Sequence, residues 1–432
     1  MKAIYIGLAI FFTLIVQYGK CQTGVIEWEA KYEKVAIGEY VFKQGFKSVK
    51  PPLNKILEDS VNYPFAQNFT RQVCFPTTEK DVSYVLKFKI KNKVDTLRKI
   101  IIVIEHSGLH EVEFFEVLEK QNIVSVNHSG NIFDFASRAN AHRFFVYQLD
   151  LGSKKEHTYV LYLQNKGKGT CLPIYVYDAA VFYQYESQSA GSLGFFYGVL
   201  AIMCMTAFYF YVVLRQKVWL YFTAYCVSVG VWHFYLHGLA YQILWSGFSI
   251  FDEYARVAWG YVSLYFVIRF VIRLMEDEII PKNLLFVLNW MAYLSPLFIV
   301  FVFLEEEFYY FTSFLVLKVF YLFNGVAIFL ILYSFYEETL NTKTYFIISL
   351  LILAVLTEVY LLQQDWTTPS SEWEKISYLF SILMLVATLL LALMNKVQFF
   401  RNETALKRWI EIEQMRAVSA YKKSQQLEED ED

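Results

Sequence analysis

The feature that most constrains this chain is a block of long apolar segments between residues 192 and 396. Seven segments of about 18 to 26 residues are each long enough to cross a hydrocarbon core about 30 Å thick. Their predicted bounds are Gly194–Leu214, Val218–Leu236, Tyr254–Leu274, Leu284–Leu304, Phe308–Tyr333, Tyr345–Leu362 and Ile376–Val397. Because a bilayer offers no water to the backbone, these segments must be helical, and their continuous rather than alternating hydrophobicity excludes a membrane barrel.

The N-terminus has the pattern of an export signal. Lys2 precedes an apolar run from Ile4 to Val16, and Gly19 and Cys21 are small residues suited to cleavage before Gln22. An additional membrane helix is the alternative, but the run falls short of the roughly 20 residues that a span needs. We therefore assign residues 1–21 to a signal peptide, residues 22–190 to an exported domain, residues 191–397 to the membrane domain and residues 398–432 to a cytoplasmic tail.

The exported part consists of short segments with strand-like periodicity. In Val82–Ile90 apolar side chains occupy every second position, which is typical of a half-buried strand. Further runs are Lys99–Glu105, Glu111–Leu118, Arg143–Leu149, His157–Leu163 and Cys171–Phe182. Turn-forming residues separate them, as in Asn127–Asn131, so the pattern predicts an all-β antiparallel sandwich.

Basic residues set the predicted orientation of the helices. If the sandwich is exported, the inner loops and helix ends hold eight basic residues, and the outer loops hold Arg256 and Lys375. The inner set is Arg215, Lys217, Arg269, Arg273, Lys282, Lys343, Lys396 and Arg401. The positive-inside rule therefore agrees with the signal peptide and predicts a cytoplasmic C-terminus.

Two charged residues fall inside predicted spans. Lys318 and Glu358 lie in the fifth and sixth segments, and their estimated depths differ by roughly 6 Å, within reach of a long lysine side chain. We predict an intramembrane pair that either switches between receptor states or stays static; two unpaired residues facing a wet cavity are the other alternative. Asn289 and Asn324 are further polar residues able to bond across helices.

The exported part holds several candidate binding groups. Cys74 and Cys171 permit a disulfide in an oxidising compartment, although buried free thiols fit the same sequence. Arg138 and Arg143 are candidate polar anchors for a small ligand, with a structural role as the alternative. The histidines lack ligand spacing with cysteines or carboxylates, so we predict surface histidines and no metal site at His106, His110, His128, His142 and His157.

The remaining features argue against enzyme chemistry. The tail after Val397 is charged and suits a helix, but it holds no ATP-binding glycine loop or cyclase signature. We find no catalytic set and predict neither an enzyme nor a cofactor. The net charge of -2 gives no reason to expect nucleic acid. Near-heptad spacing of apolar residues in the tail leaves a homodimer open.

Three short stretches carry a family resemblance, namely Gly194–Leu200, Tyr221–Tyr225 and His237–Gln242. They are similar to the aromatic-glycine opening, the Tyr-rich second helix and the Gly-Leu-Ala loop of one bacterial family, the seven-transmembrane receptors with diverse intracellular signalling modules. Leu86–Asn92 is similar to the strand ending in Asn of the family's sensor domain. The resemblance implies a jelly-roll sensor like carbohydrate-binding modules, in the periplasm, on helices in the bacterial inner membrane.

The chain departs from the family at its C-terminal end. Family members usually carry an enzymatic or DNA-binding output after the last helix, whereas here about 35 residues follow it. We therefore expect a receptor that binds a small ligand, such as a carbohydrate, contacts membrane lipid and relays to a separate cytoplasmic signalling protein. A transporter or channel using Lys318 and Glu358 is the alternative. A light receptor is disfavoured, because the last segment lacks a lysine before Lys396.

Overall fold

The computed structural model describes most of the sandwich and the first helices of the membrane domain. The described residues are 24–47, 52–58, 64–75, 82–118, 123–165, 170–274, 282–304, 379–394 (apart from 381 and 392) and 408–416. The predicted signal peptide, the fifth and sixth spans, and with them Lys318, Asn324 and Glu358, lie outside this set.

The described part of residues 24–178 contains thirteen strands, one short α-helix, α1 (Leu53–Glu58), and two 3-10 helices, Gly38–Tyr40 and Phe135–Ser137. The strands are β1 (Val25–Trp28), β2 (Lys34–Ala36), β3 (Phe42–Lys47), β4 (Ala66–Gln67), β5 (Val73–Phe75), β6 (Val82–Asn92), β7 (Arg98–Ile104), β8 (Glu111–Val117), β9 (Ile123–Ser129), β10 (Phe145–Leu151), β11 (Glu156–Gln164), β12 (Thr170–Leu172) and β13 (Ile174–Asp178). A seven-stranded sheet has the order β4-β3-β6-β11-β8-β9, with β1 parallel to β6, and a second sheet has the order β10-β7-β13-β2.

The main core lies between these two sheets. Leu86, Phe88 and Leu161 of the larger sheet belong to the same buried cluster as Ile102 and Tyr147 of the smaller one. The outer face of the larger sheet is partly covered by α1, whose Ile56 is buried. This arrangement confirms a β-rich domain with two packed sheets; the jelly-roll strand order stays a prediction.

Strand β7 explains why one run in the sequence is continuously apolar. Its residues Ile100, Ile102 and Ile104 enter the main core, whereas Ile101 and Val103 pack on the opposite side. That side is covered by the beginning of the next helix, through Phe182. A strand buried on both faces loses the alternation of polar and apolar residues.

The last predicted strand of the sandwich is shorter than expected, and a helix replaces its end. The sequence run Cys171–Phe182 divides into β12 and β13, and α2 (Ala179–Leu214) then begins. The Asp178 side chain caps this helix by accepting a hydrogen bond of 3.0 Å from the backbone N–H of Ala180. The predicted domain boundary at 190/191 therefore falls inside a continuous helix of 36 residues.

Four helices follow in the described part of the membrane domain. They are α3 (Lys217–Leu236), α4 (Leu239–Ile243), α5 (Ser249–Leu274) and α6 (Lys282–Leu304). The described residues of 379–394 are also helical, and Ile382, Val386 and Leu393 pack into the same buried cluster as α2, α3, α5 and α6. Asn289 of α6 bonds across helices as expected, because its Oδ1 accepts from Arg269 Nη1 of α5 at 3.3 Å.

Two of the described helices are long and apolar enough to cross a membrane, namely Ala179–Leu214 and Val257–Leu274. On α2 the large apolar side chains Phe195, Ile202 and Met205 are more than 60% exposed, with values of 68%, 62% and 63%. A continuous apolar surface of this kind suits contact with lipid rather than water.

A disulfide links the two strands of a third sheet, in which β5 pairs with β12. Cys74 of β5 and Cys171 of β12 are directly paired in register, and their sulfurs are bonded. Of the two cysteines in the helices, Cys226 is buried and Cys204 is partly buried. Of the two alternatives that the sequence leaves open for Cys74 and Cys171, the structure has the disulfide and not the two free thiols.

Candidate functional site

The sandwich meets the helices at a surface that we call the junction. From the sandwich it takes the loop of residues 105–110 and the loop of residues 130–144. From the helices it takes the first turns of α2 and the corner of residues 235–246, which includes α4. The two sandwich loops are joined to each other, since the backbone N–H of Asn131 donates to Leu109 O at 2.9 Å.

An aromatic cluster forms the apolar part of the junction. Phe135 from the sandwich is buried in one cluster with Tyr235, Tyr241 and Trp245 from the corner. The rings of Phe135 and Tyr241 meet edge to face with centroids 5.7 Å apart. The larger loop of the sandwich is thereby packed against the helices rather than exposed at its tip.

Hydrogen bonds cross the junction in both directions. The Tyr241 hydroxyl donates to Phe133 O, and the backbone N–H of Phe135 donates to Ser246 O at 3.2 Å. These bonds involve backbone atoms of the loop, so a shift of the loop must be accompanied by a shift of the corner or by broken bonds.

Gly238 allows the corner to approach the sandwich closely. It is the N-cap residue before α4 and has φ of +74°, a left-handed conformation in which other residues are strained. A Cβ at this position would lie 2.7 Å from Ser107 Cβ and 2.8 Å from Arg143 O. Only glycine fits both the backbone conformation and the space.

Arg138 holds the sandwich side of the junction together. Its Nη1 donates to His142 O at 3.0 Å and to Arg143 O at 2.7 Å, and its Nη2 donates to Ser107 O at 3.1 Å. The guanidinium also lies 4.3 Å from the ring centroid of Phe145. Arg138 is 7% exposed, and these bonds to main-chain carbonyls satisfy a buried charge.

Arg143 connects the sandwich to α2. Its Nη2 lies 3.1 Å from Glu186 Oε1 and donates to Ser189 Oγ at 2.8 Å. His142 Nε2 lies 3.3 Å from the same Glu186 oxygen. Burial acts to raise the pKa of Glu186, but His142 and Arg143 outweigh it and hold this pKa below its ordinary value of 4.5.

The structure thus brings the two predicted arginines together and places both at the junction. Arg143 is only 5% exposed, and the polar contacts given above join both arginines to other parts of this chain. These contacts match the structural alternative for the two residues; a ligand-binding role stays a prediction.

Sequence reasoning missed Glu186 and the corner. Glu186 lay in the predicted exported domain but in none of its predicted strands, and Gly238 was noted only within the motif His237–Gln242. Surface histidines were predicted at five positions. His128 is exposed, and His106, His110, His142 and His157 are partly buried.

The fold and the junction define a class: a multi-pass membrane protein with a β-rich domain seated on its helices. A family model described as 7TM diverse intracellular signalling matches residues 189–396. A second, described as 7TMR-DISM extracellular 2, matches residues 61–178. The chain belongs to the seven-transmembrane receptors with diverse intracellular signalling modules, which are transmembrane signalling receptors with an extracellular sensor domain. No curated protein matches the chain.

Proposed function

We propose that this protein senses a small ligand, of the carbohydrate class, through its exported sandwich and relays binding to a separate cytoplasmic signalling protein. In this proposal the sandwich lies in the periplasm, the helices cross the bacterial inner membrane and the C-terminus is cytoplasmic. The protein acts by changing shape, not as an enzyme. The transporter alternative depends on Lys318 and Glu358, which lie outside the described residues.

The junction is the observation that carries the proposal. The loop of residues 130–144 contacts the corner through Phe133 and Phe135 and contacts α2 through Arg143. A ligand that favours one position of this loop would therefore also favour one position of the helices. Only such a difference in affinity between two states lets a ligand shift their populations.

The described piece of the tail supports relay to a partner. Residues 408–416 form a helix on which Trp409 is 59% exposed and Met415 is 65% exposed. Exposed large apolar side chains on a charged helix are typical of a surface that another protein covers.

The test uses the full chain in lipid nanodiscs. Glycans and small metabolites are screened by the shift in thermal stability, and hydrogen exchange is then compared with and without each ligand found. We expect a ligand to change exchange in residues 130–144, 235–246 and 408–416. A broad screen without any ligand, or a ligand that leaves residues 408–416 unchanged, would contradict the proposal.

Gly238 of the corner and Gly247, the residue that follows the corner, give a matched pair of variants for the same test. Gly238→Ala introduces a strained residue at the contact, whereas Gly247→Ala adds a methyl group with nothing within 4 Å. We expect Gly238→Ala to keep ligand binding and lose the change in residues 408–416, because the sandwich is no longer seated on the corner. Gly247→Ala should behave like the unchanged protein.

A further inference from the structure

Three potential metal ligands converge on the outer face of the larger sheet. They are Glu111 and Glu113 of β8 and His128 of β9, and their ligand atoms all lie within 4.8 Å of one another. His128 Nε2 is 2.7 Å from Glu111 Oε1 and 3.5 Å from Glu113 Oε1. The His128 side chain is 45% exposed, so the group is open to solvent.

Strand register places the three side chains together. Glu111 and Glu113 are two residues apart, so they point to the same face, while Val112 and Phe114 point into the main core. His128 is the direct partner of Glu113 in the antiparallel pair β8–β9 and lies diagonally from Glu111. A bulge follows at Phe114/Phe115, and strand β9 is at the edge of the sheet. A metal ion could therefore reach the group without opening the fold.

The donor set and its spacing suit a transition metal. We propose that Glu111, Glu113 and His128 bind a divalent ion of the Zn²⁺ class. Two ligands of a tetrahedral zinc ion, each at about 2.0–2.1 Å, lie roughly 3.3 Å apart. This is close to the 3.5 Å from His128 Nε2 to Glu113 Oε1 and longer than the hydrogen-bonded 2.7 Å to Glu111 Oε1. The carboxylates of Glu111 and Glu113 have oxygens within 4.8 Å of each other and therefore repel, and a doubly charged ion removes that repulsion. The imidazole favours Zn²⁺ over Mg²⁺ and Ca²⁺, which prefer oxygen ligands.

A second imidazole–carboxylate pair on the same sheet can be compared with the proposed metal site. His157 Nδ1 lies 2.9 Å from Glu116 Oε1, and His157 Nε2 accepts from the backbone N–H of Gly152 at 3.3 Å. Both ring nitrogens of His157 are therefore engaged, and among the described residues this pair does not belong to a group of three ligands. It provides a matched control.

The proposed metal site is in contact with the junction. The His128 ring packs edge to face on Phe133, with centroids 4.6 Å apart, and Phe133 O accepts from Tyr241 of α4. The neighbouring Asn127 Nδ2 donates to Ser137 O at 3.0 Å. A metal ion that fixes the imidazole would hold the loop of residues 130–144 in one position. This regulatory part rests on the proposed function, whereas metal binding does not.

The experiment titrates the metal-free full chain in detergent with Zn²⁺ and measures heat of binding. We expect one Zn²⁺ per chain, and binding weakened at least about tenfold in His128→Ala and in Glu113→Gln, since each removes a ligand. His157→Ala and Glu116→Gln should bind as the unchanged protein does. Absence of Zn²⁺ binding, or equal loss in the control variants, would overturn the site and leave the receptor proposal standing.

Hydrogen exchange tests the link to the junction. Zn²⁺ should slow exchange in residues 130–144 and 235–246 of the unchanged protein, but not in His128→Ala. Binding of Zn²⁺ without protection of these residues would overturn the regulatory part. A junction that responds to a glycan but not to Zn²⁺ would also overturn the regulatory part, and it would support the proposed function independently.

Discussion

At the scale of single residues, Arg138 shows how a buried charge stabilises a loop. Its planar guanidinium reaches three main-chain carbonyls of the two sandwich loops at the junction. Hydrogen bonds to charged groups contribute about 1.5–3 kcal/mol each, and their removal leaves buried carbonyls without that donor. The residue therefore contributes to the shape of the junction, while its contribution to ligand binding stays a prediction.

Arg138→Ala should destabilise the folded protein by about 3 kcal/mol. This is less than the sum for its three hydrogen bonds, because the energies of bonds in one network do not simply add. For a domain of this size we expect the midpoint of thermal unfolding of the sandwich to fall by about 6–12 °C. The measurement is tryptophan fluorescence on heating the protein in detergent. Arg71→Ala, which alters an exposed arginine of the same domain, is the control and should change the midpoint of unfolding little. An equal midpoint for the two variants would contradict this prediction.

At the scale of elements, α2 links the sandwich to the membrane without a break. Its first turns cover the smaller sheet through Phe182, and its later turns carry the apolar surface that suits lipid. Residues 179–188 lie between the two stretches that match family models, and they include Glu186. The segment that connects the two domains is thus part of a helix and also part of the junction.

Acidification should loosen this connection. The pKa of Glu186 is lowered in the folded protein, so its contribution to stability is present above the unfolded value near 4.5 and is lost as pH falls through the lower folded value. We expect hydrogen exchange in residues 179–190 and 130–144 to rise when the pH drops below about 4.5.

The matched variants for this effect are Glu186→Gln and Glu156→Gln. Glu186→Gln should weaken the junction near pH 7 and remove most of the additional loss in acid, since its amide does not titrate. Glu156 forms an exposed pair with Lys89 at 2.8 Å, so its replacement should leave the pH dependence as it was. A Glu186→Gln protein with an unchanged pH dependence would rule out Glu186 as the source of the effect.

The elements also show where sequence patterns predict structure well. The sequence predicted the ends of β6, β7, β8, β10 and β11 to within a few residues. These strands are visible in the sequence because alternating or continuous apolar residues indicate burial directly. The start of α2 was missed, because residues 179–182 continue the apolar run of the last predicted strand and residues 183–190 are mostly polar. Only the packing of Phe182 and the cap at Asp178 reveal a helix there.

At the scale of the whole molecule, the arrangement depends on which side of the membrane each part occupies. The signal pattern and the distribution of basic residues both predict an exported sandwich, and the family is one of membrane receptors with an extracellular domain. The proposed ligand and the proposed cytoplasmic partner both depend on this orientation.

Single cysteines test the orientation in spheroplasts. Asp95→Cys lies on the sandwich and Arg416→Cys on the tail helix, where the native side chains are 76% and 71% exposed. A membrane-impermeant maleimide should label Asp95→Cys in intact spheroplasts, and Arg416→Cys only after detergent is added. The unchanged protein, with its own cysteines, measures the background. The reverse pattern would show that the orientation is wrong.

The sequence by itself determined the division into a β-rich domain and a membrane domain, and it predicted an export signal and the orientation. These features depend on hydrophobicity, periodicity and charge along short stretches, which are local properties of the chain. It left open whether Cys74 and Cys171 are bonded, and it could not reveal the junction or the group formed by Glu111, Glu113 and His128. The tertiary structure decided these, because strand register and loop packing bring together residues that lie 15 to about 100 positions apart.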